Sequence, residues 1–70
     1  MRVHRFNSLG AAQAAAQTVN TAEGYPKAGC ETQAYCIAEE AFGVVFIMAD
    51  SVTEQHLGAP EEVDFSNLAP

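Results

Sequence analysis

The chain has no tryptophan, only three basic side chains, only two cysteines and no apolar run of membrane-spanning length. Each shortage removes a class of protein. Arg2, Arg5 and Lys27 are the whole basic complement, and nothing basic but histidine follows Lys27. Holding a nucleic-acid backbone takes clustered Lys and Arg, so no direct nucleic-acid binding is expected. Small secreted domains usually carry roughly four to eight cysteines at recurrent spacings. Cys30 and Cys36 are instead expected as reduced thiols, one in a loop and one in a strand. The apolar run Val44–Ala49 has six residues, where a membrane helix needs about 20. "MRVHRFNSLG" has no apolar signal core behind it, so a cytoplasmic protein without membrane contact is expected.

What is present points to a small folded unit. Hydrophobic residues make up 49% and charged residues 17% of the 70, which is globular rather than disordered composition. One domain over residues 1–70 is expected, with 59–70 as a tail that either lies extended along the fold or projects from it. A chain this short buries only about 60% of the surface it exposes when unfolded, so its own core is thin. The net charge is −6, and from Ala28 onward there are acids but no Lys or Arg. Such a surface favours basic partners and speeds encounter with them. It also keeps a small apolar protein soluble.

The pattern of residues predicts an α+β fold: a small antiparallel sheet packed on one Ala-rich helix, followed by a short second helix. Residues 2–6 alternate weakly and read as a first strand. Ser8 is placed to cap a helix over 9–23, with Leu9, Ala12, Ala16 and Val19 on one face. Gly24 is its natural stop and Pro26 forbids continuation. Residues 33–39 and 43–50 read as an antiparallel hairpin, joined through "EAFG" with Gly43 at a left-handed position in a loop of three to five residues. Ser51 and Glu54 read as a Ser-x-x-Glu capping box for a helix that stops at Gly58 before Pro60. Leu9, Val19, Ile37, Phe46 and Ile47 are expected among the most buried positions.

The hairpin is apolar on both sides. Val44, Phe46 and Met48 share one face of the last strand, and Val45, Ile47 and Ala49 the other. One helix and a short tail are little cover, so Val44, Val45, Phe46, Ile47 and Met48 are expected to seat a second copy in a homodimer.

Chemistry-bearing residues are scattered. His4, His56, Cys30 and Cys36 have the count for a zinc site but none of its paired spacings, so no metal and no cofactor are expected. Ser51 has a better use as a cap than as a nucleophile for His56, and nothing beside Cys30 lowers its pKa. The chain is read as non-enzymatic. Glu39 and Glu40 are adjacent on a strand, point to opposite faces and cannot share a proton or metal. They read as the charged tip of the hairpin. Phe42 sits at a loop position, either folded back on the helix or exposed as a contact.

The order "GYPKAG" (24–29), "TQAY" (32–35), hairpin, "HLGAP" (56–60) resembles small uncharacterised accessory proteins of tailed bacteriophages. That resemblance implies a phage or prophage setting and carries no catalytic residues. Within it, the acids Glu39, Glu40, Glu54, Glu61, Glu62 and Asp64, with Phe42, would meet the basic surface of a protein partner. An anti-CRISPR or other anti-defence inhibitor of a nucleic-acid-binding host enzyme fits this charge. A self-associating virion or tail subunit is the alternative, and a small-ligand binder with its pocket between protomers is a third.

Overall fold

β1 (Arg2–Phe6) comes first in the chain yet runs through the interior of a four-stranded sheet. The structure, a computed structural model, describes residues 1–68. After β1 come α1 (Leu9–Ala22), β2 (Glu39–Ala41), β3 (Val44–Met48), α2 (Ser51–Leu57), β4 (Glu61–Glu62) and a 3-10 turn at Phe65–Asn67. The strand order is β2-β3-β1-β4 and every pairing is antiparallel. This is the α+β architecture expected from the sequence.

Alternation along the strands decides the layers. Val3, Val44 and Phe46 lie on one face and form a cluster with Val63, against which Ala41 and Phe65 pack. The Phe46 and Phe65 rings meet at 5.0 Å and 49°, a tilted pair worth about 0.5–1.5 kcal/mol beyond its area. His4 and Ile47 lie on the opposite face, beneath the buried stripe Ala12, Ala16 and Val19 of α1. Alanines at the contact let the helix approach the sheet closely. His4 is buried there and is satisfied by a 2.9 Å bond between its Nε2 and Thr53 Oγ1.

Both faces are thus covered within one chain, by α1 and α2 on one side and by the Val63–Phe65 tail on the other. Of the five residues expected to seat a second copy, most are therefore covered from inside the chain. Val44, Phe46 and Ile47 are buried, Val45 is half-buried, and Met48 alone of the five is exposed.

Local signals explain most boundaries. Ser8 Oγ accepts from Ala11 N–H at 3.1 Å and opens α1. At its end Tyr25 N–H reaches Asn20 O and Gly24 N–H reaches Thr21 O, with Gly24 at φ 81°. This is a Schellman stop, which a residue without Cβ adopts most cheaply.

Four expectations need correction. The first strand of the hairpin does not span 33–39; it begins at Glu39. Its upstream backbone is claimed by a side chain: Asn20 Oδ1 accepts from Tyr35 and Cys36 N–H, and its Nδ2 donates to Cys36 O, each at 2.9 Å. Ile37 therefore stands outside the ladder and is 60% exposed rather than buried. Leu9 is 41% exposed, in the first turn of α1, beyond the point where the β1–β3 ladder ends at Phe6 and Val45. The capping box of α2 sits one residue earlier than expected. Asp50 Oδ1 accepts from Val52 and Thr53 N–H, and Thr53 Oγ1 accepts from Asp50 N–H. A carboxylate is the stronger acceptor there, and Glu54 is left free for another role.

Candidate functional site

The sheet has two open edges, and each carries two consecutive glutamates: Glu39 and Glu40 on β2, Glu61 and Glu62 on β4. At the usual ~4.8 Å strand spacing the edges lie roughly 14 Å apart. The sequence-selected acids are therefore not one surface. Glu39, Glu40 and Phe42 share the β2 edge, whereas Glu61, Glu62 and Asp64 lie at the β4 end and Glu54 is on α2.

Electrostatics separates them further. Although no Lys or Arg follows Lys27, the central position of β1 returns the early bases to the late acids. Arg5 Nε bonds Glu61 Oε1 at 3.0 Å, Arg2 Nη2 bonds Glu54 Oε1 at 3.0 Å, and the Met1 amine meets Glu62. Asp64 serves the chain itself, accepting from Ser66 and Asn67, and the Ser66 hydroxyl foremost holds its carboxyl below the usual range. Glu39 and Glu40 make no ion pair and no side-chain hydrogen bond among the described residues. Among the acids of the two sheet edges theirs is the uncompensated field; Glu31, in the loop before Tyr35, is likewise unpaired among the described residues.

Phe42 and Gly43 form the hairpin tip. Pairing of Ala41 with Val44 leaves these two as the loop, with φ of 51° and 79°. Both positive values define a type I′ turn, tighter than the three to five residues expected. The turn projects the Phe42 ring away from the sheet, where it is 56% exposed. Together Ile37 and Phe42 place apolar groups on either side of the two acids.

Three tethers fix this rim. Besides the hairpin ladder and the Asn20 clamp, Tyr35 O–H donates to Asp50 Oδ2 at 2.6 Å. Asp50 thus caps α2 with one oxygen and holds the rim with the other. That hydrogen bond, then desolvation, pushes the Tyr35 hydroxyl up to about 12. The same bond leads the causes that hold the Asp50 carboxyl below its ordinary value. Asn20 and Asp50 were missed from the sequence. An Asn in an alanine-rich helix was the available signal for the first.

An open groove of ≈ 510 Å³ lies between α1 and the rim, lined by amides of Gln13, Gln17 and Gln33 over Ala16 and Ile37. Cys36 lies in it with its thiol pushed up by burial, Asp50 adding to the effect, so this sulfur is not an activated nucleophile. Cys30 and Cys36 are both free thiols. No group of three or more His, Cys, Asp or Glu among the described residues is placed to hold a metal. No helix among them is long and apolar enough to cross a membrane.

No family model, curated protein or solved structure matches the chain.

Proposed function

We propose that the protein is a non-enzymatic binding module that engages a basic surface of a protein partner through the β2 edge and its turn. One observation carries the reading: Glu39 and Glu40 are the edge acids left without internal counter-charge, and they are flanked by exposed Ile37 and Phe42. Apolar anchors beside unpaired charge make a contact that is both steered and desolvated. In the phage setting that the sequence suggests, the partner is a nucleic-acid-binding host enzyme in the cytoplasm, whose basic groove an acidic inhibitor would occupy. Glu54, Glu61 and Glu62 contribute less than their charges imply, because Arg2, Arg5 and the Met1 amine meet them.

Affinity capture from a bacterial lysate tests this. The wild-type chain should retain basic proteins that elute between low and high salt, since exposed charges are screened within about 8 Å at physiological ionic strength. A Glu39→Lys, Glu40→Lys variant should lose them, while Glu61→Lys should not. Unchanged capture by the first variant would show the reading to be wrong.

A second reading rests on the groove. Its volume falls within the range of small-molecule sites, and its amides, with the Glu31 carboxylate also in the lining, suit a polar ligand rich in hydrogen-bond donors, held by one chain rather than between protomers. The virion-subunit alternative is weakened by internal burial of the β3 side chains.

A further inference from the structure

The register of the hairpin specifies which backbone groups of β2 are open. Ala41 and Val44 flank a two-residue turn, so they exchange hydrogen bonds, and alternation makes Glu39 and Phe46 the next bonded pair. Glu40, opposite Val45, is a non-bonded position. Its N–H and C=O therefore point away from β3, into space that no other strand among the described residues fills. The other edge differs. β4 is two residues long, its acids are paired within the chain, and Val63 N–H turns inward to Met1 O.

We propose that the outer edge of β2 accepts an extended, dibasic segment of a protein partner as a fifth strand. The inference rests on the binding reading above and specifies its mode. Edge addition takes its affinity from main-chain bonds and its selectivity from alternate side chains. Glu39 and Glu40 point to opposite faces of the sheet. A matching strand consequently presents two consecutive basic residues, one to each face, rather than basic residues alternating along one face. Ile37 and Phe42 stand roughly 17 Å apart along an extended rim, so apolar or β-branched residues on either side of the dibasic pair complete the match. A second copy of this chain is the wrong occupant. Pairing β2 with itself sets glutamate against glutamate, and like charges directly opposite are destabilising.

The probe is a synthetic octapeptide, Thr-Val-Thr-Lys-Arg-Thr-Val-Thr, titrated into the full chain and followed by amide NMR and hydrogen exchange. Binding should shift the Ile37–Phe42 amides and slow exchange at Glu40 by about tenfold or more. The same peptide N-methylated at its two central amides should bind about tenfold more weakly or worse. Glu40→Pro removes the outward N–H together with the carboxylate, so it should bind the plain peptide about tenfold more weakly than Glu40→Gln, which removes the carboxylate alone, provided its melting curve stays cooperative. Should the methylated and plain peptides bind equally while Glu39→Gln, Glu40→Gln abolishes both, edge addition is overturned and the acidic-contact reading survives. Binding that ignores the glutamates overturns both. Protection of the Glu40 amide in the peptide-free protein, with a concentration-dependent dimer, would identify a second copy as the occupant and sink the inference.

Discussion

The two edges of the sheet carry the same dipeptide, Glu-Glu, and have opposite electrostatic character. On β4 the acids sit beside β1 and meet Arg5 and the Met1 amine. On β2 they sit beside β3, a strand without any charged residue, and meet nothing. Charge counted along the chain would rank the edges equally. What separates them is which strand lies next door, and for β4 that depends on the pairing of Arg2 with Glu62 and Val3 with Glu61, across most of the chain.

The comparison can be broken outright by removing its common support. Phe46→Ala takes the ring from the Val3–Val63 cluster and leaves Phe65 without its partner, at a cost of about 3–5 kcal/mol. A domain of this size rarely holds more than about 3–5 kcal/mol, so loss of the cooperative melt by circular dichroism is the expected outcome. Asn20→Ala attacks only the β2 side. Two backbone N–H groups and one carbonyl lose their partner, but all are only part-buried and water replaces much of the bonding, so the whole loss should stay at about 1–3 kcal/mol. Exchange at the Tyr35 and Cys36 amides should accelerate strongly, with the β1–β3 ladder nearly unchanged.

Phe42→Asn sharpens the comparison. A bulky residue at φ 51° is held in a region that costs an L-residue about 1–2 kcal/mol, and Asn tolerates it. The variant should melt higher by part of that amount, as read by thermal denaturation, while partner capture weakens. Glu61→Gln, by contrast, removes a half-exposed pair, and surface pairs of this kind contribute about 0–1 kcal/mol. Its stability loss should stay within that range, and Glu39→Gln should cost nothing measurable in urea titrations.

The smallest effect is in the pH profile. Asp50 has a lowered carboxyl pKa, so its contribution is present above the ordinary value of 3.8 and fades as pH falls through the folded one. Tyr35 is raised, so its contribution is complete below 10.0 and disappears as pH climbs through about 12. Stability from this pair should be flat between those limits. Tyr35→Phe should remove the alkaline loss and reduce the acid one, as read from melting midpoints across the pH range.

Much of the fold was legible because it is written locally. Ser8, the alanine run and Gly24 specify α1 within a few residues, and the apolar stretch over Val44–Met48 specifies a strand. The misreadings share a cause: a side chain standing in for backbone, or a partner far along the chain. Asn20 takes the hydrogen bonds that a strand over 33–38 would have made. Asp50 outcompetes Ser51 as cap because its carboxylate serves both α2 and Tyr35. Glu61 and Glu62 have no strand-like pattern and pair only because β1 offers them an edge. Of the candidate site, Glu39, Glu40 and Phe42 were legible as a hairpin tip. Their isolation from the other acids was not, since it follows from strand order.

The interior place of β1 also dictates a timetable. His4 pairs with Ile47, and Arg2 with Glu62, so the first strand has no neighbour until β3 has been synthesised and lacks its second until β4 follows. α1 and the β2–β3 hairpin close over short stretches and can form early. The sheet itself must wait for loop closure across most of the chain, the kind of contact that slows folding. During that wait β1 has no strand on either side, and Val3 and His4, buried in the finished protein, are bare. A strand interior to the finished sheet is thus the one longest exposed while the chain is made, and chaperones would meet it there.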